Sequence, residues 1–208
     1  MASHSGPCHQ FRRAGIGMGM HRQGYRWWMG VAFYAGVLGV SEGLQAVARR
    51  RTGKRRDDRL YRDAKLPVWA PPPAAFPIAW GINSACLIAG GLHVLNLPAR
   101  TPGRSAFLRR QGLAWTLFCI FTPAYFGLRS PLNAAAVTTA YTAATLGSLQ
   151  AARRLPDPTA LWALAPTLAW LAVANPLGWT QAAWNRDPWW NTGPLMSPPR
   201  RWVKRSAA

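Results

Sequence analysis

Residues 60–80, LYRDAKLPVWAPPPAAFPIAW, contain the features that decide the fold of this chain. Proline fixes φ and lacks a backbone donor, so the consecutive prolines at 71–73 disfavour a helix interior but can begin a helix. After them no Lys, Arg, Asp or Glu occurs until Arg100, a run long enough to cross a bilayer. Phe76 and Trp80 would lie on one face of that helix. The stretch therefore predicts a rigid corner that leads into a membrane helix with an aromatic face.

The charge of the chain is strongly basic, with 25 Lys and Arg against 6 Asp and Glu and a net charge of +19. Such an excess of positive charge would suit a protein that binds nucleic acid. However, the basic residues lie in short blocks between apolar segments, and no Asp or Glu occurs between residues 64 and 156. A soluble helical bundle needs a charged face on each helix, which these segments lack. We therefore predict an integral, multi-pass membrane protein whose partners include membrane lipids and not nucleic acid.

Five apolar segments predict an all-α fold, a five-transmembrane-helix bundle within residues 27–185. A polar, basic N-terminal tail covers residues 1–26, and a basic C-terminal tail rich in Trp and Pro covers residues 186–208. The C-terminal tail holds too much proline for a sixth span, and we expect it to lie on the membrane surface or to grip another protein. The predicted spans are about residues 27–47, 74–97, 111–128, 131–152 and 158–183.

The first predicted span combines a Gly-x-x-x-Gly spacing with an acidic residue. Gly39 and Gly43 would let another helix approach closely. Glu42 is an ionisable group inside a membrane helix, which is costly and by default suggests a function. The alternative is that Glu42 lies near the end of the helix and pairs with Arg49 or Arg50.

The distribution of basic residues predicts how the protein is oriented in its membrane. With five spans, the side that holds the C-terminus carries 15 Lys and Arg and the other side carries 10. The positive-inside rule then places the C-terminus on the cytoplasmic side. The N-terminal tail has no acid, as in an organelle transit peptide, but a cytosolic-type tail or a partner-binding arm would have the same composition. We expect either a bacterial inner membrane or an organelle membrane.

Three blocks of the chain are similar to one known family. Residues 67–80, with the pattern Pro-x-Trp-x-Pro-Pro and then two aromatic residues four apart, resemble the signature of the translocator protein / tryptophan-rich sensory protein family (TspO/MBR). Residues 117–131, LFCIFTPAYFGLRSP, are similar to its third-helix stretch, and residues 166–174, PTLAWLAVA, to a run in its fifth helix. Asn185 matches a terminal Asn of the family. The resemblance covers about residues 60–185.

Members of that family are small five-helix membrane proteins that bind porphyrins and, in animals, cholesterol. The resemblance implies a pocket lined by Trp80 of the second span and by Trp170 and Ala174 of the fifth. A flat macrocycle would stack on the indole faces, and Arg59 or Arg62 would pair with its propionates. Alternatively, the two tryptophans only fill space between helices. The residues so predicted for ligand binding are Trp80, Trp170, Ala174, Ser84, Phe118, Phe76 and Trp69, with Pro67, Pro71 and Pro72 in the lid at the entrance.

The chain departs from the family pattern at several pocket positions. Ser84 stands where the family usually has an aromatic hydroxyl, and Thr167 stands where it has a Tyr. Phe118 and Gly178 occupy positions at which the family has Asn. The pocket has therefore either kept its function with altered selectivity or closed.

No residue pattern predicts catalysis or a metal site. The central spans contain no paired carboxylates for acid–base chemistry, and the cysteines lack metal-ligand spacing. His93 could ligate a haem iron or a chlorophyll magnesium, but an interfacial histidine is the simpler interpretation. Light-driven porphyrin breakdown is associated with bacterial members of the family and would be implied by the resemblance alone. We therefore expect a protein that is not an enzyme and requires no cofactor.

Two functions from different classes are consistent with these observations. The first is binding of a tetrapyrrole (a porphyrin or a chlorophyll-type pigment) or a similar flat lipid between the helices. The second is a non-catalytic accessory or structural subunit of a larger membrane complex, photosynthetic or respiratory, that has reused the fold. The altered pocket and the long tails favour this alternative. The protein would then form a homodimer or contact other subunits through its tails.

Overall fold

The computed structural model describes residues 24–52 and 59–204, so most of the predicted N-terminal tail lies outside the described residues. In this part of the chain all regular structure is helical, and β-pairing is limited to isolated bridges. The helices are α1 (Trp27–Thr52), α2 (Arg59–Arg62), α3 (Ala75–Asn96), α4 (Arg104–Thr122), α5 (Pro131–Ala152) and α6 (Thr159–Trp184), with a π-helical turn at Pro123–Gly127 and a 3-10 turn at Arg200–Trp202.

Three helices, α1, α3 and α6, are long and apolar enough to cross a membrane by length and composition. This finding agrees with the predicted bundle of membrane helices. Helices α4 and α5 are also long, but their composition is less apolar. Helix α4 carries Arg104, Arg109 and Arg110 in its first turns, and α5 is rich in Ala and Thr.

Prolines and a hydroxyl cap explain where two of the helices begin. Helix α3 starts directly after the three consecutive prolines, and the Ala75 amide donates to the Pro72 carbonyl at 2.9 Å. Helix α5 has Pro131 in its first turn, where a missing N–H costs nothing. The Ser130 side chain caps it by accepting a hydrogen bond from the Asn133 amide at 3.0 Å. Both starts follow from residue types visible in the sequence.

Helix α4 begins at Arg104, well before the predicted span at residues 111–128. Gly103 precedes it with φ of 84°, a left-handed conformation that favours glycine. A Cβ at this position would lie 2.5 Å from the carbonyl oxygen of Ala151. Gly103 therefore lets the start of α4 meet the end of α5.

The end of α4 widens into a π-helical turn. Pro123 has no N–H to give to the helix ladder, and the Leu128 amide instead donates to the Pro123 carbonyl at 2.9 Å. Within this turn the Tyr125 side chain is buried. Arg129 then adopts φ of 55°, which turns the chain into α5.

Helices α3 and α6 pack antiparallel, with small residues at their contact. A Cβ on Gly90 would lie 2.5 Å from the Cβ of Ala163, so glycine is what allows this approach. Near the ends of the same pair, His93 Nε2 and Asp157 Oδ2 are 2.9 Å apart. The main core lies beside this contact and includes Phe107, Leu164, Val94 and Leu87.

Helix α1 has an outward face without a partner in the described residues. Nothing lies within 4 Å of a Cβ placed on Gly36, Gly39 or Gly43. Glu42 is exposed on the same helix and makes no ion pair within the described residues. The close helix contact predicted at Gly39 and Gly43 is therefore not made within the part of the chain that the structure describes, and the predicted pairing of Glu42 with Arg49 or Arg50 is not observed there.

The C-terminal segment, predicted to lie on the membrane or to grip another protein, packs against the chain's own first loop. Val203 pairs with Pro67 in an isolated antiparallel bridge. The Val68 amide donates to the Trp202 carbonyl at 2.9 Å. Residues 196–204 thus form a strap across the loop that follows α2.

The bundle has two ends, the lid end and the arginine end. The lid end carries the lid loop (residues 63–74) with α2, the α4–α5 turn and the C-terminal segment 185–204. The arginine end carries the start of α1 and the loops 97–103 and 153–158. The lid loop covers the helices at the lid end.

Candidate functional site: a cavity beneath the lid loop

A cavity of about 50 Å³ lies at the lid end, beneath the lid loop. A space of this size holds a few water molecules, whereas sites for drug-sized ligands measure about 300–1,000 Å³. Helices α2 to α6 and the π-helical turn all contribute to its wall. The lining residues are Tyr61, Phe76, Trp80, Phe121, Tyr125, Ala134, Thr138, Trp170, Ala174, Leu177, Gly178 and Gln181.

Aromatic side chains fix the two tryptophans of the cavity wall in edge-to-face contacts. The rings of Phe76 and Trp170 have centroids 5.3 Å apart, at 89°. Trp80 contacts Phe118 at 5.2 Å and Tyr141 at 5.6 Å. Such pairs stabilise beyond their buried area and restrict ring rotation. Trp80 and Trp170, on different helices, therefore both face the same cavity in defined orientations.

The polar atoms of the cavity wall differ in how well they are satisfied. Gln181 Nε2 donates to the hydroxyl of Tyr125. Thr138 Oγ1 donates to the Ala134 carbonyl at 2.8 Å, within its own helix. In contrast, Trp170 Nε1 is buried with no hydrogen-bond partner in the described residues. An unpaired buried donor costs about 1–3 kcal/mol, so an acceptor bound within reach of this N–H would be stabilised.

The lid loop closes the cavity with a small core of its own. Leu66 and Ala70 are buried there with Tyr61, and Phe76 packs against them. The Tyr61 hydroxyl donates to the Pro71 carbonyl at 2.9 Å. Burial raises the pKa of Tyr61 to about 12, so the hydroxyl remains a donor well above neutral pH. Tyr61 therefore joins the lid loop to the aromatic wall.

Residues distant in sequence tie the lid loop to the rest of the lid end. The Lys65 amide donates to Asn185 Oδ1 at 2.8 Å, and Asn185 Nδ2 donates back to the Lys65 carbonyl at 3.0 Å. The strap adds two bonds from Lys204. Its amide donates to Leu66 O at 2.8 Å, and its Nζ donates to Ala70 O at 3.3 Å. The lid loop is thus held by hydrogen bonds from α6 and from the strap.

The structure brings four of the residues predicted for ligand binding to this cavity and leaves three outside its wall. The four lining residues are Phe76, Trp80, Trp170 and Ala174. Phe118 lies behind Trp80 and contacts its ring. Ser84 is buried among the helices, one turn beyond Trp80. Trp69 belongs to the lid loop but is 43% exposed, so its ring does not line the cavity.

The three predicted lid prolines have different places in the lid. Pro67 is fully buried and pairs with Val203 of the strap. Pro71 accepts the hydrogen bond from Tyr61. Pro72 is exposed and accepts the amide of Ala75 at the start of α3. Their common role is to give the lid loop a fixed path onto α3.

Two of the positions that depart from the family pattern are buried polar residues. The hydroxyls of Ser84 and Thr167 have no hydrogen-bond partner in the described residues. Asn83 Nδ2, on the same turn as Ser84, is also buried without one. Buried polar groups usually find partners, so a polar group or water bound next to any of these atoms would be stabilised.

Several cavity residues were not predicted as site residues, namely Tyr61, Phe121, Tyr125, Ala134, Thr138, Leu177 and Gln181, and Gly178 was named only as a pocket position that departs from the family pattern. Gln181 carried a usable signal, because a neutral polar side chain in an apolar span has to find a partner. Tyr125 lies in the block that resembles the family's third helix, although no role was assigned to it. Tyr61 comes from a charged loop, and no local pattern indicates that its ring enters the cavity wall.

The described residues contain no group of three or more His, Cys, Asp or Glu that could hold a metal ion. His93, considered as a ligand from sequence, bonds Asp157 at the arginine end. Hydrogen bonds from Thr159, and to a smaller extent from His93, lower the pKa of Asp157. This pair therefore joins the end of α3 to the start of α6.

The architecture defines a class before any relative is considered. Long helices, three of them apolar enough to cross a bilayer, surround an aromatic cavity and make this an all-helical integral membrane protein. The model of the TspO/MBR family matches residues 29–184, which is most of the chain. The chain therefore belongs to the TspO/MBR family, and the resemblance seen in the three sequence blocks is confirmed. No curated protein matches the chain.

Proposed function

We propose that this protein binds a tetrapyrrole, or a lipid of similarly flat shape, in the cavity beneath the lid loop. The observation that carries the proposal is the buried indole N–H of Trp170, which has no partner in the described residues and belongs to a residue of the cavity wall. A ligand acceptor at that position would satisfy the donor. The faces of Trp80 and Phe76 offer apolar surface to a planar ring system.

Binding of a tetrapyrrole requires the lid loop to move. The cavity of about 50 Å³ is far smaller than the macrocycle. The contacts that hold the lid loop are mainly hydrogen bonds to Asn185 and to the strap, and these can break without unfolding a helix. Arg62 is exposed beside Tyr61, where it would pair with a ligand propionate at the open edge.

A titration with protoporphyrin IX tests the proposal in purified, detergent-solubilised protein, with the porphyrin absorbance shift as the readout. Trp170→Phe keeps an aromatic ring and removes the N–H, so affinity is expected to fall by about 2- to 10-fold. Ala174→Phe fills the cavity and is expected to abolish binding. Trp162→Phe is the matched control, because Trp162 lies on the same helix but is 73% exposed. Unchanged affinity in the Ala174→Phe protein would contradict the proposal.

A second candidate function is an accessory subunit of a larger membrane complex, and the outward face of α1 favours it. Glu42 is exposed there without an ion pair in the described residues, and Gly36, Gly39 and Gly43 leave space for a close helix. A carboxylate facing lipid is costly, and a partner helix with a basic or hydrogen-bond-donating side chain would relieve that cost. A symmetric homodimer through this face would instead bring two Glu42 carboxylates together.

Native gel electrophoresis from the source membrane in mild detergent tests the second function. The subunit is expected to migrate far above its own 22.9 kDa. Glu42→Leu is expected to release it from the complex, whereas Val47→Leu, an exposed apolar position on the same helix, is expected not to. A wild-type protein that migrates as a free monomer or simple dimer contradicts this function.

For either function, we infer that all five long helices cross the membrane and that the lid end faces the cytoplasm. The basic residues on the side of the C-terminus support this orientation. The membrane is the bacterial inner membrane or that of an organelle. We assign no catalytic step and no required cofactor to the protein. Labelling of single cysteines placed at Ser105 and at Thr192 with an impermeant maleimide tests the orientation, since the two are expected to react from opposite sides.

A further inference from the structure

Four exposed arginines lie at the arginine end of helices α4 and α5. They are Arg109 and Arg110 in α4, and Arg153 and Arg154 directly after α5. None of them makes an ion pair within the described residues. Asp157, the acidic residue of the nearby α5–α6 loop, already bonds His93 and the Thr159 amide. This end of the α4–α5 pair therefore carries positive charge that the described residues do not neutralise.

The guanidinium of Arg110 occupies the space on α5 that is left by the missing side chain of Gly147. A Cβ on Gly147 would lie 2.6 Å from Arg110 Nη1 and 3.1 Å from its Cζ. Arg110 therefore rests directly against α5, in the groove between the two helices. At the top of the same groove, Arg154 packs beside Gly103, because a Cβ there would lie 3.0 Å from the Cβ of Arg154. Both ends of the groove thus present arginine.

With α4 crossing the membrane, as inferred above, Arg110 lies within the helix rather than at its end, where its charge is not fully hydrated. Arg110 is about 9 Å along the axis of α4 from Arg104, at about 1.5 Å per residue. Trp162, 73% exposed in the first turn of α6, marks the aromatic belt at this end. A guanidinium near that belt is costly unless it reaches the headgroup layer or an anion reaches it. The anion present at that depth in a membrane is the phosphate of a lipid.

We propose that the α4–α5 groove at the arginine end binds the headgroup of an anionic phospholipid. Arg110, held against Gly147, and Arg109 bind the phosphate from α4. Arg154 and Arg153 bind the headgroup from the end of α5. Gln150, exposed between Gly147 and Arg154 on α5, adds a neutral donor. The acyl chains then lie along the outer surfaces of α4 and α5, where Leu113 and Leu146 are exposed.

Charge complementarity and position support a lipid as the occupant. Guanidinium groups bind phosphate with charge-assisted hydrogen bonds, and each basic residue near an anionic membrane adds appreciable affinity. A soluble phosphate would have to enter at the level of the aromatic belt, whereas a lipid phosphate is already there. The site is remote from the cavity at the lid end, so it does not depend on the proposed ligand of that cavity.

Native mass spectrometry of the full-length protein in detergent tests the proposal, with phosphatidylglycerol or phosphatidylcholine of the same acyl chains added. The wild type is expected to retain phosphatidylglycerol in preference. Arg109→Gln/Arg110→Gln is expected to weaken this binding about tenfold or more. Arg26→Gln/Arg201→Gln is the matched control, because it removes the same charge from exposed positions outside the groove. Thermal unfolding of each variant confirms that it is folded.

A substitution that keeps every charge distinguishes a specific binding site from non-specific electrostatic attraction between the protein and anionic lipid. Gly147→Val displaces the Arg110 guanidinium from α5 and is expected to lower phosphatidylglycerol binding at least threefold. Equal binding by Gly147→Val and wild type would overturn the assignment to this groove. Equal retention of the two lipids, or equal losses in the groove and control double variants, would also overturn it. Displacement of the lipid by millimolar inorganic phosphate would assign the arginines to a soluble anion instead.

Discussion

The lid end and the arginine end use their polar residues in opposite ways. At the lid end, polar groups pair inside the protein: Asp187 is 3% exposed and accepts hydrogen bonds from the hydroxyl of Ser130 and from three backbone amides. At the arginine end, Arg104 donates to the last carbonyls of α3, but Arg109, Arg110 and Arg153 are exposed and make no ion pair within the described residues. One end is therefore stabilised by internal hydrogen bonds, and the other offers its charge to the membrane.

The connections at the two ends explain why only one of them suits ligand access. The loops of the arginine end, residues 97–103 and 153–158, are short and close the helices directly. The lid end is assembled from segments far apart in sequence, with Lys65 bonded to Asn185 and Leu66 bonded to Lys204. Such contacts can open locally while the helices stay folded. A ligand that needs more space than the closed cavity would therefore enter at the lid end.

Asp187→Ala is expected to have the largest effect on stability. The substitution removes the acceptor of four hydrogen bonds and leaves buried donors at the start of α5 and in the tail unsatisfied. We expect a loss of about 3–5 kcal/mol in the free energy of unfolding. Thermal unfolding in detergent measures it, and limited proteolysis is expected to cleave after residue 185. Asp63→Ala, an exposed acid of the lid loop, is the control. An equal effect of the two substitutions would contradict the role given to Asp187.

Asn185→Ala is expected to loosen the lid loop with a smaller cost in stability. It removes both hydrogen bonds to the Lys65 backbone, worth about 1–3 kcal/mol together. If the lid limits access, association of protoporphyrin IX should become faster in stopped-flow measurements. Asn191→Gly, which removes an exposed contact with Arg186 at the same end and suits the φ of 52° there, is the control. A slower or unchanged association rate would show that the lid loop does not limit access.

Much of the architecture could be predicted from the sequence, because the relevant signals are local. Apolar runs, the proline corner and Ser130-Pro131 each indicate a helix or its start from neighbouring residues alone. The same holds for Phe76 and Trp80, whose spacing places them on one face of α3. Trp170 could be joined to them through the family resemblance, and the structure places it on the same cavity.

Long-range contacts could not be predicted in the same way. The strap depends on backbone hydrogen bonds between Leu66 and Lys204, which leave no mark on residue type. Spacing alone is also a poor guide to the buried face of α5, in which small residues recur every four positions from Ala136 to Ser148. The steps of four from Ala136 to Ser148 drift around the helix, so Ala144 and Ser148 are buried while Ala136 is exposed. The buried face of α5 follows the helical repeat of about 3.6 residues instead.

Arg104→Lys tests an arginine that donates hydrogen bonds inside the protein, unlike the other described arginines of its end. Arg104 Nε and Nη2 donate to the carbonyls of Val94 and Leu95 at 3.1 and 3.0 Å. Lysine keeps the charge, but its ammonium cannot donate to both carbonyls in the fixed planar geometry of the guanidinium. We expect a loss of about 1–2 kcal/mol in the free energy of unfolding, measured by thermal unfolding. Arg109→Lys, at an outward position, is expected to leave stability unchanged, and an equal loss there would remove the distinction between inward and outward arginines.

Tyr61→Phe is expected to have the smallest effect at neutral pH and a diagnostic effect in alkali. Burial raises the pKa of Tyr61 from 10.0 to about 12, so the closed lid favours the neutral phenol. The stabilising contribution is complete below pH 10, where the phenol is neutral in both open and closed states. It is lost as the pH rises from about 10 to about 12, because the open state ionises first.

The comparison of pH profiles isolates this contribution from other titrating groups. The midpoint temperature of thermal unfolding is expected to fall more steeply between pH 10 and 12 for the wild type than for Tyr61→Phe. Only the wild type has this phenol to ionise. Tyr25→Phe is the control at the opposite end, since Tyr25 is 45% exposed and should leave the wild-type slope intact. Parallel profiles for wild type and Tyr61→Phe would mean that Tyr61 is no more protected in the closed lid than in the open one. The lid end would then lack the internal burial that sets it apart from the arginine end.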